Sequence, residues 1–183
     1  MTKLLILITG MPGSGKSVVA DVFRKKGVRI VSMGDIVRDL LKKEHEKGSR
    51  ISLTDFSVKL RERHGEDIIA KLTSKAIEQY PDKIIVVDGV RSLVEVEVFR
   101  EKYDVKILAV HAPPQERFKR LRERKRRDDP KTFEEFKHRD LNELALGVGN
   151  VIALADIMIV NYKKSLTEFI QEIENVLKEE VGI

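Results

Sequence analysis

The sequence predicts an α/β fold: a parallel sheet wrapped by helices on both faces. Three observations carry this. Five short apolar runs alternate with helically spaced apolar residues along the chain. The first run, residues 4–8, is apolar at every position, as a strand buried on both faces must be. That run leads straight into a glycine-rich loop, and the loop into a helical pattern at Val18, Val19, Val22 and Phe23.

The loop itself, Gly10-Met11-Pro12-Gly13-Ser14-Gly15-Lys16-Ser17, fits G-x-x-x-x-G-K-[ST] at every fixed position. Glycines let the backbone fold around an anion without Cβ clashes. Successive N–H groups then form a nest for a β-phosphate, with the following helix N-terminus aimed at it. Lys16 would reach the β- and γ-phosphates of ATP, and the Ser17 hydroxyl would hold Mg²⁺.

Further strands are expected at residues 28–31, 84–87, 105–110 and 157–160. Residues 35–80 exceed a simple crossover and carry at least two helices, an acceptor-side insertion. Residues 113–150 are strongly charged and read as a mobile lid. The tail, 166–183, places Phe169, Ile170, Ile173, Val176 and Leu177 on one helical face, a helix packed on the sheet. The whole, residues 1–183, reads as a single domain.

Composition narrows the function classes. The chain of 183 residues is 42% hydrophobic and 36% charged, a globular balance. Without cysteine it has no disulfide, thiolate metal site or thiol nucleophile. Histidines 45, 64, 111 and 138 lack metal-ligand spacing. The N-terminal apolar run is too short for a signal core or a membrane span, so a cytoplasmic protein without a membrane partner is expected. A net charge of +5 suits RNA, and equally a polyanionic nucleotide.

Ligands of such sheets bind at the carboxyl ends of the strands. Gly34-Asp35-Ile36-Val37-Arg38 follows the second run, Asp88-Gly89-Val90-Arg91 the third, and Asn161 the fifth. Asp88 stands where a Walker B carboxylate would bind Mg²⁺; its other role would be a turn or cap residue before Gly89. Asp35 either serves the site or caps the helix it precedes. Arg38 and Arg91 suggest a second anion site, since a guanidinium fork matches a phosphate. Arg61 and Arg63 are further acceptor-side candidates.

Eight of the eleven residues 117–127 are basic. Helical spacing puts Arg120, Arg124 and Arg127 on one face, with Phe118 and Leu121 as anchors. The position after the fourth strand favours a lid that lowers arginines onto a transferring phosphoryl group. An RNA-binding patch or a solvated face are the other readings.

With these motifs the chain resembles P-loop nucleotide kinases of the adenylate kinase type, nearest the archaeal adenylate-kinase-related proteins, and it also resembles dephospho-coenzyme A kinases. The resemblance runs over nearly the full length. It implies a three-layer fold with strand order 2-3-1-4-5 and a Mg·ATP donor on Gly10 to Ser17. It also implies an acceptor phosphate gripped by Arg38 and Arg91 beside Gly34, Asp35 and Gly89. The family's lid pattern is similar to Arg126-Arg127-Asp128-Asp129 with Arg139 beyond it. The expected activity is therefore phosphoryl transfer to AMP or a related monophosphate. The rivals are transfer to a hydroxyl, with Asp35 as base, and an ATP-driven switch that binds RNA or a protein.

Overall fold

The structure, a computed structural model, describes residues 2–46, 51, 53–126 and 129–183. Arg127 and Asp128 of the expected lid pattern lie outside the described residues. The strands are β1 (Leu4–Thr9), β2 (Arg29–Ser32), β3 (Ile84–Asp88), β4 (Asp104–His111) and β5 (Ile157–Val160). They form one parallel sheet in the order β2-β3-β1-β4-β5, the order the resemblance implies.

Strand periodicity sorts the side chains into two cores. Leu5 and Leu7 of β1, with Ile85, Val87 and Ile107, face α2 (Met33–Glu46), α3 (Leu53–His64), α4 (Ile68–Ile77), α5 (Leu93–Arg100) and α8 (Val148–Ala153). Ile6 and Ile8, with Val86, Leu108, Val110, Ile157 and Ile159, face α1 (Lys16–Lys25) and α9 (Leu166–Val176). Two remaining helices, α6 (Pro114–Arg124) and α7 (Phe133–Ala145), lie over the carboxyl end of β4. A closing π-helical turn, Leu177–Val181, extends α9 and buries Leu177.

Two expectations change here. The 113–150 region is not all lid. Its end belongs to α8, where Val148 and Val151 are buried against the sheet core. Apolar side chains at helical spacing outweighed the charge of the segment around them. Asp35 is not the cap of α2. The Ser32 hydroxyl accepts the Asp35 N–H at 3.2 Å, so Ser32 caps the helix and Asp35 sits inside its first turn. The insertion holds three helices, α2, α3 and α4.

The order of strands reverses direction around β1. Its carboxyl end, with those of β3 and β4 beside it, is where the fold opens a crevice for ligands.

Candidate active site

The phosphate loop spans the turn from β1 into α1. Gly13 and Gly15 have φ of 80° and 113°. A Cβ at Gly13 would lie 2.7 Å from the Arg117 carbonyl oxygen, and one at Gly15 would lie 2.5 Å from Asn161 Nδ2. Only glycine meets both demands, a left-handed backbone and that closeness. Lys16 curls over the loop and donates to the Gly10 and Met11 carbonyls at 2.6 and 3.2 Å. Burial pushes its pKa down from 10.5 to about 8, with the charges of Asp88 and Glu143 partly opposing.

Asp88 closes β3 in register with Ile8 of β1 and Ser32 of β2. Its Oδ1 is buried with no hydrogen-bond partner among the described residues. Burial raises its pKa above the usual carboxylate value, while Lys16 and Arg91 pull it back. An orphaned carboxylate oxygen beside a phosphate loop suits a divalent cation. No group of three or more His, Cys, Asp or Glu that could hold a metal occurs among the described residues. The residues therefore fit Mg²⁺ carried in mainly on nucleotide phosphates and waters, with Asp88 and the exposed Ser17 as its protein side.

The turn after β3 is pinned in place. Thr9 Oγ1 donates to the Val90 carbonyl at 3.0 Å, and Gly89 takes φ of 100°. The Arg91 N–H donates to Glu95, whose own N–H is capped by Ser92. This holds Arg91 beside the loop, with its Nε 3.2 Å from the Glu143 carboxylate of α7. Arg38, on the first turns of α2, is exposed and paired with Asp35. Gly34 packs beside the Arg38 guanidinium.

Arg61 does not join them. It is 8% exposed and paired at 2.9 Å with Glu95, itself 1% exposed, and it also donates to the Ser57 carbonyl. Its guanidinium faces inward, onto the Glu95 carboxylate at the start of α5. Its role is to brace that first turn and, through Glu95, the backbone of Arg91.

The basic helix divides by face. Arg120 donates to Ser14 and Asn161 carbonyls at 3.4 and 2.9 Å. Asn161 is buried and donates its Nδ2 to the Ser14 carbonyl at 2.9 Å, so its amide braces the loop from behind. Arg124 Nε donates to Asp129 at 3.0 Å, and Arg139 lies 3.6 Å from the same carboxylate. The Arg124 hydrogen bond holds the Asp129 carboxyl below the usual range. Arg126 is exposed, and its backbone N–H donates to Asp129. Lys119, Arg122 and Lys125 share that exposure.

Arg117 is the functional element that sequence reasoning missed. It is 4% exposed and donates to Pro12 of the phosphate loop at 3.2 Å and to Ala112 at 3.0 Å. It also forms a two-pronged pair with Asp140 of α7 at 2.8 and 2.6 Å and lies over the Phe136 ring. Leu121, one turn on, is the apolar anchor as expected, whereas Phe118 packs on Phe133 and Phe136 and joins α6 to α7. The i,i+4 spacing of Arg117 and Leu121 was the available signal, but seven other cations among residues 117–127 hid the buried one.

Known proteins agree with this architecture. A family model described as "AAA domain" matches residues 9–137. A "UPF0200 protein" of Hyperthermus butylicus is 46% identical over 180 residues, covering 98% of this chain and 96% of that protein. One of Staphylothermus marinus is 46% identical, covering 97% and 93%. Among solved structures, TT1252 from Thermus thermophilus is similar with a TM-score of 0.71 at 19% identity, over 98% of this chain and 99% of that one. Shikimate kinase from Bacteroides thetaiotaomicron is similar with a TM-score of 0.62 at 15% identity, over 98% and 99%. No helix among the described residues is long and apolar enough to cross a membrane. With most of its length inside the matched model and near-complete coverage of its relatives, the chain belongs to the AAA domain family and to the UPF0200 proteins, and its α/β fold is similar to that of the shikimate kinase structure.

Proposed function

We propose that the protein transfers the γ-phosphoryl group of Mg·ATP to a nucleotide acceptor, AMP or a related nucleoside monophosphate. The observation that carries this is a pair of arginines on the segments that follow β2 and β3: Arg38 on the first turns of α2, and Arg91, whose charge acts on Lys16 of the phosphate loop. The loop N–H groups and Lys16 would hold the donor phosphates. Arg38 and Arg91 would hold the acceptor phosphate in line with them. Arg120, Arg124, Arg126 and Arg139 would supply charge around the transferring group from the lid. Bound Mg²⁺, held through Ser17 and Asp88, would neutralise phosphate charge. An acceptor that is already anionic needs no general base, so positioning and electrostatics are the protein's contribution.

A second reading is favoured by one observation. The Asp88 carboxyl is held above its usual range with a free buried oxygen. In this reading Asp88, rather than Asp35, which is exposed and paired with Arg38, takes the proton of a hydroxyl acceptor as in dephospho-coenzyme A kinase-like chemistry, and Mg²⁺ rests on Ser17 and the phosphates. A screen of nucleoside monophosphates and dephospho-coenzyme A with labelled ATP separates the two. Phosphorylation of a monophosphate supports the first reading, and of dephospho-coenzyme A alone the second. Slow hydrolysis with no acceptor turnover would turn attention to an RNA- or protein-binding switch.

A further inference from the structure

Helix α7 presents two carboxylates to the site, one turn apart. Asp140 takes both prongs of Arg117, which in turn holds Pro12 of the phosphate loop. Glu143 takes Arg91, the arginine at the end of the β3 turn. Residues three apart share a helix face, so both carboxylates point from one stripe of α7. Neither is part of the phosphate-loop or arginine motifs of the sequence.

Glu143 stands in an unusual place for a carboxylate. Its side chain is only 16% exposed, among groups that would meet phosphates. Its charge raises the proton affinity of Lys16, while those of Arg91 and Arg117 lower it. Lys16, Arg91 and Arg117 would repel one another in a pocket without anions, and Glu143 offsets that repulsion. When phosphates enter, the same carboxylate becomes a like charge and a competitor for Arg91.

Building on the acceptor reading above, we infer that Glu143 is a resident counter-ion of Arg91. It occupies the acceptor-side guanidinium until an anionic acceptor displaces it. Arg91 is 41% exposed and meets Glu143 through its Nε alone at 3.2 Å, not through a two-pronged fork, so the pair is weak enough to exchange. A phosphate dianion takes Arg91 more strongly than a carboxylate does, whereas a neutral acceptor cannot displace it at all. Glu143 is thus a specificity-determining residue. Its release also removes the charged tie between α7 and the β3 turn. Because α7 holds the phosphate loop through Asp140 and Arg117, acceptor occupancy is felt at the donor site, and by linkage the reverse.

The test uses Glu143→Gln, which keeps size and removes charge, with Arg91→Ala and the double variant. Binding of AMP and of inorganic phosphate to the full chain is measured by calorimetry, after thermal melts establish that each variant is folded. Glu143→Gln should bind AMP and phosphate three- to tenfold tighter than the unmodified protein. The double variant should bind no tighter than Arg91→Ala. A merely structural role for Glu143 would weaken binding or leave it unchanged, and either result overturns the inference. So does a gain that survives in the Arg91→Ala background. If AMP fails to bind but phosphate follows the predicted pattern, the inference stands and the AMP assignment falls. If neither anion binds any variant, both fall.

Discussion

Deprotonation of Lys16 should govern how ATP affinity depends on pH. Burial in the loop lowers its pKa from 10.5 to about 8. An unfolded chain keeps this proton to about 10.5, whereas the native protein releases it above about 8. Between those values the unfolded state binds more protons, so the Lys16 contribution makes stability rise with pH through that window. At about 1.36 kcal/mol per pH unit, the drop from 10.5 to about 8 corresponds to roughly 3 kcal/mol. ATP reverses the situation. Its phosphates favour the ammonium and return the pKa upward, so binding takes up a proton above about pH 8. Affinity should then fall about tenfold per pH unit, to a limit of roughly two to three hundredfold. Calorimetric titration of ATP from pH 7 to 9.5, in buffers of differing ionisation heat, reads both affinity and proton uptake. Lys16→Arg, which stays charged throughout, should show neither the fall nor the uptake. A flat wild-type affinity across this range without proton uptake would refute the placement of Lys16 at the phosphates.

Other outcomes follow from the same contacts. Lys16→Ala should lose tight ATP binding or turnover in a protein that still melts cooperatively, measured by nucleotide titration beside circular dichroism. Arg38→Ala should weaken the acceptor about ten- to a hundredfold, from roughly 1.5–3 kcal/mol for a charge-assisted contact, with a much smaller effect on ATP. Arg124→Ala and Arg126→Ala should each lower turnover at least about tenfold with ATP affinity little changed; loss of RNA affinity with intact kinetics in a salt-titrated assay would instead mark the helix as a nucleic-acid surface. Asp140→Ala strands the buried Arg117 charge and should destabilise the protein by about 3 kcal/mol, a melting-temperature drop of roughly 6–12 °C.

Much of the architecture was legible because it rests on local patterns. The unbroken apolar run of β1 announces burial on both faces, and Leu5 to Ile8 are all fully buried. The loop from Gly10 to Ser17 is read from spacing alone, since its backbone geometry depends on glycines at set positions. The strand ends that follow, at Asp88, Arg91 and Asn161, were located by the same rule of parallel sheets.

What the sequence could not decide was which charges spend themselves on the protein. Arg61, Arg91 and Arg117 look alike in sequence, yet one braces a turn, one sits beside the loop and one is buried beneath α7. The same holds for Asp35, displaced from its cap by Ser32, and for Glu143, unremarkable in a charged helix. Local patterns set backbone conformation because they act over a few residues. The ion pairs of Arg61, Arg91 and Arg117 join groups tens of residues apart, 23 for Arg117 and Asp140, and only the packed fold brings such partners within reach.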